Sequence, residues 1–331
     1  MVEINTLRVA VVGCGRHGSA LAQAVIRSDT LRLVGCVDPD LEAAEGTARL
    51  GDARAYATLE EAVAQAEFEA VLIATPHDQL APEALGAIQA RKHLLIEKPM
   101  ALNEAQGREI ELAADRAGVT CMVGYSFRFG MARHVYDLVG QGAIGELQAI
   151  SGSIGTGPMD EGWRADPAAG GGALLYVGCH LVDLALWLVG HEPNHVAATV
   201  RHREDRGTDD TSSMRLDFGG GRLAQFLVTQ SAHRFFYDLR VIGRAGSISL
   251  RGNHFVQYDV EVNSEVLSAY EEPTTIRPAV QGDHITMMLM PELAEFADAI
   301  RAQRQPAVTA ADGCRVLRVL DVARESSADG P

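Results

Sequence analysis

The sequence has no stretch of clustered Lys and Arg, and its 331 residues carry a formal net charge of −15. A phosphate backbone or an anionic membrane recruits the opposite charge, so neither nucleic acid nor membrane is an expected partner. Paired cysteines are missing too. The five that occur, at positions 14, 36, 121, 179 and 314, form no CxxC and have no His at zinc-ligand spacing. No disulfide framework and no metal site are predicted. The thiols read as reduced, mostly buried small hydrophobes, and the neighbourhoods of Cys14 and Cys179 give no clear reason for a lowered pKa. Met1 to Thr6 lack the charged and apolar regions of a signal peptide and run straight into an apolar segment, which predicts a cytoplasmic protein. Internal repeats and low-complexity tracts are absent as well.

What is present is ordinary globular material, 47% hydrophobic and 22% charged. The length suits two domains better than one core, here expected at 1–124 and 125–331. From residue 7 to about 123, short apolar runs alternate with amphipathic segments, the pattern of a doubly wound parallel sheet. Strands are predicted at Leu7 to Val12, Leu31 to Val37, near Ala55, at Ala70 to Thr75, His93 to Ile96 and Val119 to Val123. Helices are predicted at Ser19 to Ser28, Leu59 to Ala66, Pro82 to Ala90 and Glu104 to Ala117, the last capped by Asn103.

Beyond about residue 125 the texture changes. A helix at Ala132 to Val139 and a strand at Leu147 to Ile154 precede a very apolar helix, Ala173 to Val189. Strand-like runs then follow one another without helices between them: Val196 to His202, Ser212 to Phe218, Leu223 to Thr229, Tyr237 to Ile242, Ser247 to Leu250 and Phe255 to Val260. Such a series predicts a predominantly antiparallel sheet, with Gly219-Gly220-Gly221 as a hairpin turn. Helices at Ile285 to Ala302 and Ala311 to Ser326 close the chain. The fold class is α/β, a Rossmann doubly wound sheet followed by an α+β domain.

Three groups of residues carry chemistry. The first is Gly13-Cys14-Gly15-Arg16-His17-Gly18, placed directly after a predicted strand and before a helix, with Asp38 ending the next strand. In a dinucleotide loop the first glycine makes the tight turn, the second admits the pyrophosphate, and the third lets helix pack on strand. Asp38 suits the two hydroxyls of an adenosine ribose and would repel a 2′-phosphate. Positions 39 to 41 offer no Arg to compensate, which favours NAD over NADP.

The second group is Tyr176, His180 and Asp183 on the helix Ala173 to Val189, at i, i+4 and i+7 and so on one face of a regular α-helix. Seventeen residues containing His and Asp are too short and too polar to span a membrane. A buried structural network and a catalytic row both remain consistent with that face, and Gly170-Gly171-Gly172 just before it would admit a flat ring and a small molecule. The third group is Glu97-Lys98-Pro99, at the carboxyl end of a parallel strand, where ligands of such sheets sit. Pro99 restricts Lys98, permits a cis bond, and so projects the lysine in a fixed direction.

GCGRHG, Asp38, EKP at 97 to 99, the WRxxPxxGGGxLxxxGxHxxD spacing from Trp163 to Asp183, GYSFRF at 124 to 129, and Asp209-Asp210-Thr211 together resemble the glucose-fructose oxidoreductase, inositol dehydrogenase and rhizopine-catabolism (Gfo/Idh/MocA) family over nearly the whole chain. The resemblance implies a large open-faced second sheet used for homodimers or homotetramers, and NAD(P)-dependent chemistry at a carbinol carbon of a sugar, cyclitol or related compound. It implies Lys98 as the catalytic cation and His180 as the proton-exchanging group, with Asp183 as substrate partner or imidazole orienter. Phe127, Trp163 and Arg164 are expected at the substrate, and Thr75, Pro76, His77 and Glu97 join the glycine loop and Lys98 at the cofactor.

Three departures from that pattern bear on the substrate. Tyr176 stands where inositol-dehydrogenase-like members have Asp, and either donates a phenolic proton or shapes a different pocket. Phe127 replaces one of two arginines at the GYxxRF junction and makes the pocket more apolar. Leu80 stands where a His often follows the TP of the fourth strand, although His77 is nearby. A sugar with an apolar substituent, or a ketone or amino-sugar intermediate, therefore fits better than myo-inositol. Two other readings stand beside the dehydrogenase: a non-catalytic dinucleotide-binding regulator, and a redox-assisted glycosidase that reduces and regenerates NAD within one cycle.

Overall fold

A computed structural model describes residues 6–203, 207–279 and 282–328. Residues 1–5, whose run into the first strand was expected, lie outside it. In chain order the elements are β1 (Leu7–Val12), α1 (Arg16–Ile26), β2 (Leu31–Val37), α2 (Leu41–Ala48), β3 (Arg54–Tyr56), α3 (Leu59–Gln65), β4 (Ala70–Ile73), α4 (His77–Gln89), β5 (His93–Glu97), α5 (Glu104–Ala117) and β6 (Cys121–Gly124). The six strands are all parallel and ordered β3-β2-β1-β4-β5-β6. That order reverses between β1 and β4, the switch point at which open α/β sheets bind ligands outside their carboxyl ends. Val9 to Val11, Ala70 to Ile73 and Leu94 to Ile96 are buried along their whole length, because helices cover both faces.

The chain continues through α6 (Met131–Gly140), β7 (Leu147–Gly155), α7 (Cys179–Val189), β8 (His195–His202), β9 (Asp209–Gly219), β10 (Arg222–Thr229), β11 (Phe236–Gly243), β12 (Gly246–Gly252), β13 (Tyr258–Ser264), β14 (Thr274–Ile276), α8 (Met290–Ala302) and α9 (Ala310–Ala328). The second sheet is ordered β14-β13-β12-β11-β7-β10-β9-β8 and is antiparallel apart from the β10–β7 pair. Period-2 alternation buries Met214, Leu216, Phe226, Val228, Leu239 and Val241 on one face. The opposite face leaves Leu223, Leu227 and Ile242 exposed.

The described residues form two compact units, 6–126 with 284–314 and 127–283 with 315–328. Residues 284–314, expected with the second domain, thus join the first. The reasons are local: α8 packs on α1, the Val123 N–H donates to the Val308 carbonyl at 3.1 Å, and Met122 and Thr309 form an isolated bridge.

Several boundaries differ from the sequence reading. α1 begins three residues before Ser19, because Gly15 is extended and its carbonyl accepts the Ser19 N–H. α4 begins at His77, five residues before Pro82, since Pro76 is the extended residue that starts it. The helix predicted over Ala173 to Val189 opens with a π-turn, Leu174–Gly178, and another π-turn, Ile285–Leu289, precedes α8. β13 lies three residues beyond the predicted start at Phe255, because pairing with β12 leaves 253–257 as its connection. β14 has only three residues and too little apolar content to be read in advance.

Candidate active site

The phosphate loop is built by backbone. Gly13 leaves β1 with φ +89° and donates its N–H to the Val37 carbonyl at 2.8 Å, locking the loop to the end of β2. A Cβ on Gly18 would run into the Gly13 carbonyl, so the close crossing of helix over loop requires glycine there. Gly15, by contrast, faces open space, with nothing within 4 Å of where a Cβ would stand. α1 therefore starts at Arg16 with its unbonded N–H groups and its positive dipole end beside an open position.

Asp38 stands next to this loop. One carboxylate oxygen accepts the Cys14 N–H at 2.8 Å and the other accepts the Asp40 N–H at 2.9 Å. A carboxylate accepts more than two bonds, so its orientation is fixed while acceptor capacity remains for ribose hydroxyls. Thr75, at the end of β4, adds a buried hydroxyl with no hydrogen-bond partner among the described residues. An orphaned donor beside an open glycine cradle is what a ligand with phosphate and hydroxyl groups would satisfy, so these residues fit a dinucleotide. Pro76 and buried His77 follow directly and start α4.

Pairing of β1 with β2 also joins two cysteines that the sequence keeps 22 positions apart. The Cys14 thiol contacts Cys36, a bond that lowers Cys14 and, with burial, raises Cys36. The sequence reading found no reason for a lowered Cys14 thiol; the neighbour arrives only through strand pairing.

Glu97 and Lys98 occupy the carboxyl end of β5. Glu97 is buried, and His17 of the phosphate loop donates Nε2–H to its Oε1 at 2.6 Å. Burial alone would raise the Glu97 carboxyl; the charge and hydrogen bond of His17, then the charge and N–H of Lys98, hold it below its ordinary value. The Lys98–Pro99 peptide is cis. Lys98 and Lys92 are the only lysines of the chain, which otherwise uses arginine for its cations. The ammonium is a compact point charge, whereas guanidinium spreads its charge over a planar fork.

The second unit carries the remaining candidates. Tyr176 lies in the π-turn, whose extra residue breaks the single α-helical face expected for it with His180 and Asp183. His180 and Asp183, both in α7 and both buried, keep one register. The turn is pinned by Asp209, which has no role assigned from the sequence: its Oδ2 accepts the Leu174 N–H at 2.6 Å, and a side chain on Gly172 would collide with its Oδ1. Burial raises the Asp209 carboxyl against the opposing pull of the Leu174 N–H and the charges of Arg324 and His202.

Phe127 is buried and stacked flat on His180, with centroids 4.0 Å apart and planes 10° from parallel. Asp183 is held by Arg128, whose Nε lies 3.1 and 3.0 Å from its two oxygens and whose Nη2 also donates. Arg128, from GYSFRF, has no role assigned from the sequence, and the structure makes it the counterion of Asp183. Its side chain also passes over Trp187, 5.2 Å from the ring centre. Trp163 meets Tyr176 edge to face at 6.0 Å, and the Arg164 guanidinium lies over both rings, 4.4 Å from Trp163 and 5.4 Å from Tyr176. Two of the residues expected at the substrate, Trp163 and Arg164, thus form one cluster at the π-turn with Tyr176, expected as a catalytic residue.

Comparison with known proteins agrees with this architecture. Residues 7–125 match the model of the GFO/IDH/MocA oxidoreductase family, NAD-binding Rossmann fold, and residues 132–249 match the GFO/IDH/MocA C-terminal domain. The trans-1,2-dihydrobenzene-1,2-diol dehydrogenase of Oryctolagus cuniculus is 30% identical over 73% of this chain and 74% of its own. The scyllo-inositol 2-dehydrogenase (NADP(+)) IolW of Bacillus subtilis (strain 168) is 25% identical over 98% of this chain and 95% of its own. Among solved structures, GenD2 from gentamicin A biosynthesis, in complex with NAD, superposes with a TM-score of 0.86 at 26% identity, covering 99% of this chain and 95% of that one. Strand order, phosphate loop and both matched halves lead to one conclusion: the chain belongs to the Gfo/Idh/MocA family of NAD(P)-binding oxidoreductases.

Proposed function

We propose that the protein is an NAD(H)-dependent dehydrogenase or ketoreductase acting on a carbinol or ketone carbon of a sugar, cyclitol or glycoside. The observation that carries this reading is the position of Lys98, at the carboxyl edge of the parallel sheet and directly behind a glutamate tied to the phosphate loop. Bound nicotinamide would supply the hydride acceptor or donor at its C4. The Lys98 ammonium donates to the reacting oxygen and stabilises its developing negative charge. His180 takes or returns the hydroxyl proton, a task for which an imidazole nitrogen can serve as donor or acceptor. Phe127 holds the imidazole ring by stacking, and Arg128 neutralises Asp183 beneath it on the same helix.

The ring cluster of Trp163, Arg164 and Tyr176 supports a cyclic substrate with an apolar face. Phe127, standing in place of a cation, supports one with fewer hydroxyls than inositol. The choice of NAD rests on Asp38, whose charge opposes a 2′-phosphate and whose neighbours at 39 to 41 include no Arg. Leu223, Leu227 and Ile242, exposed on the open sheet face, support a homodimer or homotetramer through that face. Five free, buried cysteines support a cytoplasmic setting. None of the helices among the described residues is long and apolar enough to cross a membrane.

The test is a substrate panel. Purified protein is mixed with NAD and cyclitols, sugars and glycosides, or with NADH and the matching ketones, and nicotinamide absorbance is followed. Turnover of at least one cyclic polyol or its ketone is expected. Saturable cofactor binding with no turnover of any member would contradict the proposal.

A further inference from the structure

Helix α8 brings an acid into the first unit that the reaction chemistry does not use. Glu292 is fully buried, and neither of its carboxyl oxygens meets a hydrogen-bond partner among the described residues. An ionised carboxylate in that position would lose its hydration with nothing to replace it. The surroundings push the same way: burial, then the negative charge of Glu97, raise the Glu292 carboxyl well above its ordinary value. α8 packs on α1, the helix whose first turn carries His17, and His17 bonds Glu97. Glu292 therefore stands on a helix packed against α1, whose first turn supplies the imidazole bonded to Glu97.

We propose that Glu292 is a positioning residue of the dinucleotide site: as an uncharged acid it backs Glu97, leaving that carboxylate to hold His17 and the Lys98 turn, so cofactor affinity requires Glu292 to stay protonated. The inference rests on dinucleotide binding by the first unit and on no particular substrate. The elements packed on α8 are the π-turn Ile285–Leu289, preceded by His284, and α1, with Arg16 and His17 in its first turn and Arg27 at its far end donating to Thr286; α8 itself carries Glu295, Asp298 and Arg301, and Glu97 and Lys98 end β5. The negative charge of Glu97 acts, with burial, to keep the proton on Glu292.

The sign is fixed by that shift. Raising pH through the elevated pKa places a second negative charge behind Glu97 and removes the support of the clamp. The experiment is calorimetric titration of the full-length protein with NAD from mildly acidic to alkaline pH, for wild type and Glu292→Gln. Wild type is expected to lose affinity by about tenfold per pH unit beyond that pKa, whereas Glu292→Gln, neutral throughout, keeps its affinity over the same interval. Parallel pH profiles for the two proteins would overturn the proposal while leaving the dinucleotide reading intact; failure of wild type to bind NAD at any pH would overturn both. Should Glu292→Gln not fold, wild type decides alone. Its infrared carbonyl band from a buried carboxylic acid must be present where NAD binds tightly and vanish where NAD affinity is lost, and absence of the band or loss over a different interval would overturn the proposal.

Discussion

Phe127 lies flat against the imidazole of His180, 4.0 Å between ring centres, and so fixes the plane of the group assigned to proton exchange. Replacing it with leucine keeps an apolar side chain but removes the stack. An offset aromatic pair contributes about 0.5–1.5 kcal/mol beyond its buried area. Phe127→Leu should therefore lower kcat/KM by about tenfold with KM for NAD unchanged, as read by steady-state kinetics. Equal loss of NAD affinity would place Phe127 in a different role.

Arg128 and Asp183 form a pair that is almost completely buried, with side-chain exposures of 6% and 1%. Removing one member leaves a buried charge without its counterion, at a cost of about 3–5 kcal/mol. Arg128→Ala and Asp183→Ala should each lose stability on that scale in urea unfolding. The double substitution Arg128→Met with Asp183→Leu should recover most of it, because two apolar side chains leave no uncompensated charge.

Asp38 is fixed by the N–H groups of Cys14 and Asp40, so its charge stays beside the loop. Asp38→Ser should weaken NAD binding by about tenfold and bring NADP to comparable or greater affinity, since a bidentate acceptor is lost together with a repulsive charge. Melting-temperature shifts with each cofactor measure this directly. An unchanged preference for NAD would remove Asp38 from the cofactor argument.

The parallel sheet was legible because each of its central strands is a continuous apolar run bounded by turn residues, and the loop after β1 was legible because three glycines keep a fixed spacing. The open sheet was legible from alternation, as in β10, where Leu223, Gln225 and Leu227 point one way and Ala224, Phe226 and Val228 the other. The π-turn at Leu174–Gly178 was not, because five-residue hydrogen bonding leaves no mark in an apolar sequence that suits an α-helix equally well. The return of residues 284–314 to the first unit depends on contacts almost 200 positions apart, such as Val308 with Val123. Glu292 escaped notice for a simpler reason: an acid in the first turn of a helix reads as a solvated, dipole-favoured residue until burial is known.

Glu97 sets an acid limb on stability. Its folded pKa is depressed below the ordinary 4.5, so its contribution is present above that value and is lost as pH falls through the lowered one. His17→Gln removes the principal counter-group. Urea unfolding between neutral pH and about 3 should show a shallower acid loss for His17→Gln than for wild type, with lower stability at neutral pH. Identical slopes would mean that the pair contributes nothing to folding.

Lys98 bears the central claim, and replacing its cation while keeping its length tests that claim most directly. With a substrate identified from the panel, kcat of Lys98→Met at saturating NAD should fall by at least about 100-fold while the Kd for NAD stays within a few-fold of wild type, because the charge acts on the reacting oxygen. Turnover by Lys98→Met at the wild-type rate would contradict the account.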